Sequence, residues 1–320
     1  MGSVSEAATG PRPAGHVTRL VRYGLLMILA TGVIVTLHEL THILSGRAVG
    51  LPTILVSPTA VGLPSGAPAA SVAQLIVLAC IAPFATMVEA VLIFLLVTRF
   101  ADRLPRPLPR FLGWVTVFGL PYIGLETFLI GSYGDLRGNG PDFAVTSVAL
   151  GVAAPGRTVI AALGAIVLFT MGFVLRFSLA AVDGAPVVTR VRLAGLFQAV
   201  PVWRRIASIL LLLIVLAFVL LGLVQTWLGR PLRYSVLALI VWSLAVAFVV
   251  PWRAPGPGAI FRNWLAPGLL AGAAMGVFGL LTQSDYFLVA IVIVASLCSA
   301  AWAQSPVCTA ASHAAVSTED

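Results

Sequence analysis

The residues with the clearest potential for chemistry are His38, Glu39 and His42, which form the pattern H-E-x-x-H inside an apolar segment. Residues four apart on an α-helix lie about 40° apart around its axis, so the two imidazoles face one side. Zinc accepts two such nitrogens together with a third protein ligand and a water molecule. The metal lowers the pKa of that water toward about 7, and Glu39 is placed to take its proton. The pattern predicts a hydrolytic site with one zinc ion per chain and Glu39 as the general base.

The apolar setting of this motif favours a functional role. A carboxylate and two imidazoles inside a membrane-spanning helix are costly, and such residues are functional by default. The alternative interpretation is a polar cluster that satisfies its own hydrogen bonds inside a helical bundle, or a site that has lost its activity.

The composition indicates an integral membrane protein that crosses the bilayer several times. Of the 320 residues, 60% are hydrophobic and 9% are charged, and the mean hydropathy is +1.06. A soluble domain carries about 25% charged residues. Ordinary soluble enzymes and nucleic-acid-binding proteins are therefore excluded. The three cysteines form no C-x-x-C pair, and they support neither a disulfide framework nor a cysteine-based zinc site.

We predict an all-α membrane protein of about eight transmembrane helices. A spanning helix needs about 20 apolar residues. The runs that meet or approach this length are 20–46, 72–98, 111–133, 158–182, 206–228, 232–252, 264–283 and 286–303. The stretch 51–70 is rich in Pro and Gly and predicts a small hairpin or a membrane-dipping loop. The apolar stretch 143–154 is too short to cross the membrane alone.

Ionisable residues occur within the early apolar runs and are nearly missing from the later ones, which divides the chain into a part that carries the motif and an accessory part. We predict an N-terminal tail (1–19), a metalloprotease-like membrane core (20–140), an accessory transmembrane bundle (141–303) and a C-terminal tail (304–320).

The segment TLHELTHILSGRAVGL resembles the site-2 protease family of intramembrane zinc metalloproteases. The resemblance covers about residues 20–140. It implies a three-span core in the lipid bilayer that cleaves a membrane-spanning protein substrate. It also implies an aspartate as third zinc ligand on the third core span, within an L-D-G-like segment. This chain has no L-D-G at that place, so the identity of the third ligand stays open.

Two carboxylates are the main candidates for that third ligand. Asp135 is favoured because it ends the third run on the face of the bilayer that the motif end of the first helix reaches, and nearby glycines permit close bends. Glu126, within the same run, is the rival. Asp183 stands before a glycine as in the family segment, but it lies beyond the predicted core.

Two further acidic residues have open interpretations. Glu89, midway along the second run, either accepts a hydrogen bond from a ligating imidazole or is a neutral carboxyl bonded to a neighbouring helix. For Asp142, the sequence favours capping of the short 143–154 helix or an ion pair with Arg137.

The arginines predict the orientation of the chain. With eight spans and a cytoplasmic N-terminus, the inside segments hold 14 arginines and the outside loops hold 5. This places the motif end of the first helix outside, whereas the family resemblance implies a zinc ion nearer the cytoplasm. We expect the protein in a bacterial or archaeal cell membrane.

Two alternative functions come from other classes. A metal-ion transporter would use His38, Glu39 and His42 to bind a permeating ion, and it predicts polar residues in the later spans, where few occur. A non-catalytic membrane scaffold derived from the protease fold would have no need of Glu39, which is dispensable for metal binding. An intramembrane zinc metalloprotease is therefore the leading hypothesis.

Overall fold

The fold is helical apart from one short hairpin. The computed structural model describes residues 14–57, 60–105, 107–131, 134–138, 140–184, 206, 261–282 and 286–303. The elements are α1 (Ala14–Ala48), β1 (Ile54–Ser57), β2 (Ala60–Gly62), α2 (Val72–Phe100), α3 (Leu108–Leu129), α4 (Asp142–Ala149), α5 (Ala154–Asp183), a π-helical turn (Phe261–Leu265), α6 (Ala266–Thr282) and α7 (Tyr286–Ala303). The predicted all-α class is confirmed for this part of the chain.

Four of the described helices, α1, α2, α3 and α5, are long and apolar enough to cross a membrane. They coincide with the first four apolar runs of the sequence. Helices α6 and α7 coincide with the last two runs and are shorter. The runs 206–228 and 232–252 lie outside the described residues, Ile206 excepted, so the total of eight spans stays a prediction.

Helix α3 forms the centre of the bundle. Of its most apolar window, 78% is buried inside the protein, against 28–33% for the other three long helices. It packs against α1, α2, α5 and α7. The outer faces of α1, α2 and α5 expose many large apolar side chains. Such faces suit contact with lipid, and the inner faces enclose α3.

Local sequence signals set several helix ends. At the start of α2, the backbone N–H of Gln74 donates to Ser71 Oγ and the backbone N–H of Ser71 donates to Gln74 Oε1, which is a capping box. Helix α5 has a proline in its first turn, and Gly184, which follows its last residue, has a φ of +62°. Proline is favoured in the first turn of a helix and glycine just past its end.

The Pro- and Gly-rich stretch after α1 contains the predicted hairpin. Strands β1 and β2 pair antiparallel, with Ile54 opposite Gly62 and Leu55 opposite Val61. Both strands contact α1. The hairpin therefore lies at the end of the bundle where the H-E-x-x-H motif is located.

A partly buried polar cluster connects the helices at the opposite end of the bundle. Arg110, near the start of α3, forms an ion pair with Asp183 at the end of α5. Trp264 Nε1 donates to Asp183 Oδ2 over 2.9 Å, and the Arg110 guanidinium lies over the Tyr23 and Trp264 rings at 4.5 and 4.6 Å. Asp183, the third candidate for a metal ligand, is thus engaged at the far end of the bundle from the motif.

Helices α3 and α5 approach closely because glycines meet backbone at their interface. A Cβ atom added at Gly124 would lie 2.4 Å from the Leu168 backbone nitrogen, and one added at Gly164 would lie 2.3 Å from the Phe128 backbone nitrogen. Real Cβ atoms do not come so close to a rigid backbone. These two glycines therefore fix the separation of the helices beside the site.

We expect Gly164→Ala to destabilise the protein by about 1–3 kcal/mol, the usual cost of overpacking a well-packed interface. The matched control is Gly32→Ala in α1, where an added Cβ meets nothing within 4 Å. Alanine is the better helix former by about 1 kcal/mol, so this control should keep or raise stability. Thermal unfolding in detergent, followed by circular dichroism, measures both. Equal midpoints for the two variants would contradict the close packing of α3 and α5.

Candidate metal centre

The two histidines of the motif lie side by side on α1. His38 Nε2 and His42 Nε2 are 3.1 Å apart, as expected for residues one helical turn apart that project from the same face. His42 is buried and His38 is partly buried. Two nitrogen atoms thus converge on one point within the bundle.

Asp142, the first residue of α4, brings a carboxylate to the same point. Its Oδ2 lies 3.0 Å from His42 Nε2 and 3.3 Å from His38 Nε2. The ligand atoms of His38, His42 and Asp142 all lie within 4.8 Å of one another. We call these residues the three-ligand group. Among the described residues, it is the one cluster of His, Cys, Asp and Glu with this property.

The chain before α4 turns sharply to deliver Asp142. Gly138 and Gly140 have φ angles of +85° and +119°, a region that side chains other than glycine rarely enter. Pro141 is extended and precedes the helix. A Cβ added at Gly134 would lie 2.6 Å from the backbone carbon of Ala144, so this loop packs directly against α4. The bends hold the carboxylate against α1.

Hydrogen bonds on the far side of each imidazole orient the rings. His42 Nδ1 lies 2.6 Å from the backbone oxygen of Leu78, and this carbonyl can only accept. His42 Nδ1 therefore carries a proton, which leaves Nε2 as the nitrogen that can bind a metal. His38 Nδ1 lies 3.0 Å from Thr86 Oγ1, which can accept in the same way. Partners of this kind fix the tautomer of metal-ligating histidines, and here both come from α2.

The spacing of the three ligand atoms fits a tetrahedral metal ion. Bonds of about 2.0–2.2 Å would separate the ligand atoms by about 3.3–3.6 Å. The observed separations are 3.0, 3.1 and 3.3 Å, a small contraction that hydrogen bonding among these atoms explains. Two imidazoles and one carboxylate are a ligand set of catalytic zinc sites, which leave a fourth position open. A His-His-Asp group that can hold a metal ion is therefore present.

The carboxylate of the group is ionised at neutral pH. Burial by itself raises the pKa of Asp142. The charge of His42 and the hydrogen bonds from His38 and His42 lower it, and the resulting pKa is about 2. Because metal ligands must be deprotonated, this environment favours Asp142 as a ligand.

A cavity of about 460 Å³ opens onto the three-ligand group. Glu39 is buried and lines this cavity next to the two histidines. Ala60 and Val61 of the hairpin form part of the wall. A carboxylate, the metal ligands and a cavity therefore meet at one end of the bundle.

Helix α3 contributes two more polar groups to the cavity wall. Tyr122 Oη lies 3.2 Å from His38 Nε2. Glu126, one turn further along α3, is buried and lines the cavity beside Tyr122. Within the part of the chain that the structure describes, Glu126 Oε2 has no hydrogen-bond partner. The predicted rival ligand Glu126 thus lines the site without belonging to the three-ligand group.

The favoured third ligand of the sequence analysis, Asp135, lies outside the group. Its Oδ1 accepts a hydrogen bond of 2.9 Å from the backbone N–H of Arg137, which orients it within the loop before α4. Glu89 is exposed on α2 and does not line the cavity. Its predicted role beside an imidazole is taken by Thr86, three residues earlier on the same helix.

Asp142 is the site residue that the sequence analysis missed. The expectation that its side chain caps the short helix is wrong, because Pro141 occupies the cap position without a side-chain hydrogen bond and Asp142 is already helical. The signal that could have identified it is its position after two loop glycines and a proline. Glycines and a proline in this order mark a turn followed by the start of a helix. A turn of this kind can bring the first residue of the helix, here Asp142, back against the other helices.

None of the protein-family models, curated proteins or solved structures compared with this chain matches it. Support for a function therefore comes from the geometry of the three-ligand group and its cavity.

Proposed function

We propose that the protein is an intramembrane zinc metalloprotease that hydrolyses a peptide bond in or near a membrane-spanning substrate. The observation that carries this proposal is the joining of His38, His42 and Asp142 beside Glu39, at one end of a bundle of apolar helices. The resemblance of residues 20–140 to site-2 proteases supports the same reaction.

The residues present fit a zinc ion in number, chemistry and spacing. His38, His42 and Asp142 would hold it. When bound, zinc polarises a carbonyl group and lowers the pKa of water at the open position. Glu39 lines the same cavity and has the chemistry to serve as a base while the three ligands hold the metal.

Glu39 acts as the proton carrier in the proposed reaction. It takes a proton from water as the water oxygen forms a bond to the carbonyl carbon of the substrate. It then gives that proton to the amide nitrogen as the C–N bond breaks. The second proton of the water, left on the new carboxyl group, passes to the amine, so the products are a carboxylate and an ammonium group. Water, peptide and protons balance without another reactant. General acid–base catalysis of this kind contributes about 10²–10⁴-fold to a rate.

Because the site lies among membrane-spanning helices, it can act only on a substrate segment that is not helical. A helical backbone hides its amides in internal hydrogen bonds, and hydrocarbon offers no replacement partners. The substrate segment must therefore unwind before it enters the cavity, where polar side chains and the hairpin backbone can receive it. We expect cleavage near the end of a substrate helix, at the depth of the hairpin.

Removal of the metal should abolish hydrolysis, and zinc should restore it. Purified protein in vesicles would be treated with a chelator and then with Zn²⁺. Its substrates would be labelled casein, as an unfolded chain, and a membrane-spanning peptide. His42→Ala is the matched variant, because it lacks one ligand and should not recover when zinc is returned. Cleavage that persists at full rate after metal removal would contradict the proposal. Zinc flux into the vesicles without cleavage would support the transporter alternative.

A further inference from the structure

Tyr122 brings a hydrogen-bond donor to the cavity side of the three-ligand group. The residue is 8% exposed and lines the cavity. Its hydroxyl lies 3.2 Å from Nε2 and 3.4 Å from Nδ1 of His38. The phenol oxygen is therefore adjacent to the place where a substrate carbonyl must lie to react.

His38 cannot remain the acceptor for the Tyr122 proton once a metal is bound. The His38 Nδ1 position faces Thr86 Oγ1 at 3.0 Å, and Nε2 would direct its lone pair to the metal. An imidazole has no further lone pair in the plane of its ring. The Tyr122 proton must then find another acceptor within the cavity.

Glu126 is the carboxyl group nearest to Tyr122 along α3. It is four residues further along α3 and lines the same cavity, and its Oε2 lacks a partner among the described residues. A buried carboxylate with an unpartnered oxygen is costly, which favours the neutral carboxyl as a donor to the phenol. A hydroxyl accepts as well as donates, so Tyr122 can receive this bond and still donate its own proton into the cavity.

We propose that Tyr122 is a further catalytic residue that donates a hydrogen bond to the carbonyl oxygen of the substrate as that carbon becomes tetrahedral, with Glu126 as its positioning residue. This inference rests on the proposed function. The developing negative charge on that oxygen makes the bond stronger in the transition state than in the bound substrate. Donors that act in this way typically contribute about 10²–10³-fold to kcat.

The first test compares kcat, KM and metal content of Tyr122→Phe with the wild type. This variant removes one oxygen atom. We expect kcat to fall about 10²–10³-fold, with KM and zinc stoichiometry unchanged. Tyr23→Phe, whose ring lies against Arg110 at the opposite end of the bundle, is the matched control and should behave as wild type. An unchanged kcat in Tyr122→Phe would overturn the inference.

The second test measures binding and needs no turnover. A phosphinic peptide presents a tetrahedral, negatively charged oxygen, whereas a thiol peptide of the same sequence binds metal through sulfur. Loss of a hydrogen bond to a charged group costs roughly 10- to 100-fold in affinity. Zinc-loaded Tyr122→Phe should lose that factor for the phosphinic peptide and keep its affinity for the thiol peptide. Equal losses for both peptides would show a general disturbance of the site and overturn the inference.

A third comparison separates donation from metal ligation. If Tyr122 were a ligand, Tyr122→Phe would bind zinc more weakly and the copper-loaded wild type would show a phenolate charge-transfer band that the variant lacks. That result would overturn the role as a donor.

Glu126→Leu should lower kcat as Tyr122→Phe does, and Glu126→Gln, which can still donate a hydrogen bond, should recover part of the loss. Identical rates for the two Glu126 variants would remove Glu126 from its positioning role.

The failure of this inference and of the proposed function can be told apart. Hydrolysis that needs zinc and Glu39 but not the Tyr122 hydroxyl would leave the protease intact and remove only the donor. A preference for the phosphinic peptide that depends on Tyr122, in a protein that cleaves no substrate, would leave the donor and remove the protease.

Discussion

Asp142→Asn is expected to strip the metal from the protein, whereas Asp135→Asn should leave it bound. Asparagine nearly preserves the size of the side chain but replaces a charged carboxylate oxygen with a neutral amide oxygen. In the structure, Asp142 Oδ2 lies 3.0 and 3.3 Å from the two histidine nitrogens. The Asp135 carboxylate instead accepts the backbone N–H of Arg137.

The size of the effect follows from the position of Asp142 in the site. Partners that only orient a ligand usually cost 10–100-fold in metal affinity when they are removed, so loss of a ligand should cost more than about 100-fold. Competition titration with a chromogenic chelator measures this affinity, and elemental analysis after dialysis measures the stoichiometry.

The matched controls are Asp135→Asn and Glu126→Gln, at the two main candidates that the sequence offered. Both should retain one metal ion per chain with an affinity close to that of the wild type. Weaker binding in Asp135→Asn with normal binding in Asp142→Asn would restore the original prediction and contradict the three-ligand group.

The helical part of the site could be predicted because it depends on local spacing. His38 and His42 are one turn apart on a single helix, so their convergence follows from helix geometry alone. The hairpin between α1 and α2 was also predictable, because Pro and Gly interrupt the apolar pattern there. The positions of the four long helices were predictable as well, because each helix is one continuous apolar run in the sequence.

The third ligand could not be predicted because its position depends on the path of a loop. Asp135 and Asp142 are seven residues apart in one polar segment, and nothing in the spacing of the sequence decides which of them reaches α1. The choice is made by the backbone at Gly138 and Gly140 and by the packing of α4 against α2. These are tertiary contacts between residues far apart in the chain. The same holds for Glu89, whose exposure depends on the rotation of α2.

Glu39→Gln should retain the metal and lose hydrolysis. The amide has nearly the shape of the carboxylate, so the fold and the three-ligand group should remain intact. Gln cannot accept a proton from water at neutral pH, and the loss of a general base lowers a rate by about 10²–10⁴-fold. Zinc stoichiometry, the thermal midpoint and the rate of peptide hydrolysis would be measured for this variant and for the wild type. They report on metal binding, folding and catalysis in turn.

Glu89→Gln is the matched control for Glu39→Gln, because it makes the same chemical change in a neighbouring apolar helix. Glu89 is exposed and lies outside the cavity, so its variant should hydrolyse peptides as fast as the wild type. Undiminished hydrolysis in Glu39→Gln would remove Glu39 as the base, and loss of metal in that variant would make it a ligand. Equal losses in both variants would show that any uncharged substitution in these helices disturbs the bundle. If only Glu39→Gln loses hydrolysis and its metal stays bound, a proton-transfer role is the explanation that remains. The zinc stoichiometry excludes loss of metal as the cause, the thermal midpoint excludes loss of stability, and Glu89→Gln excludes a general effect of removing a charge from these helices.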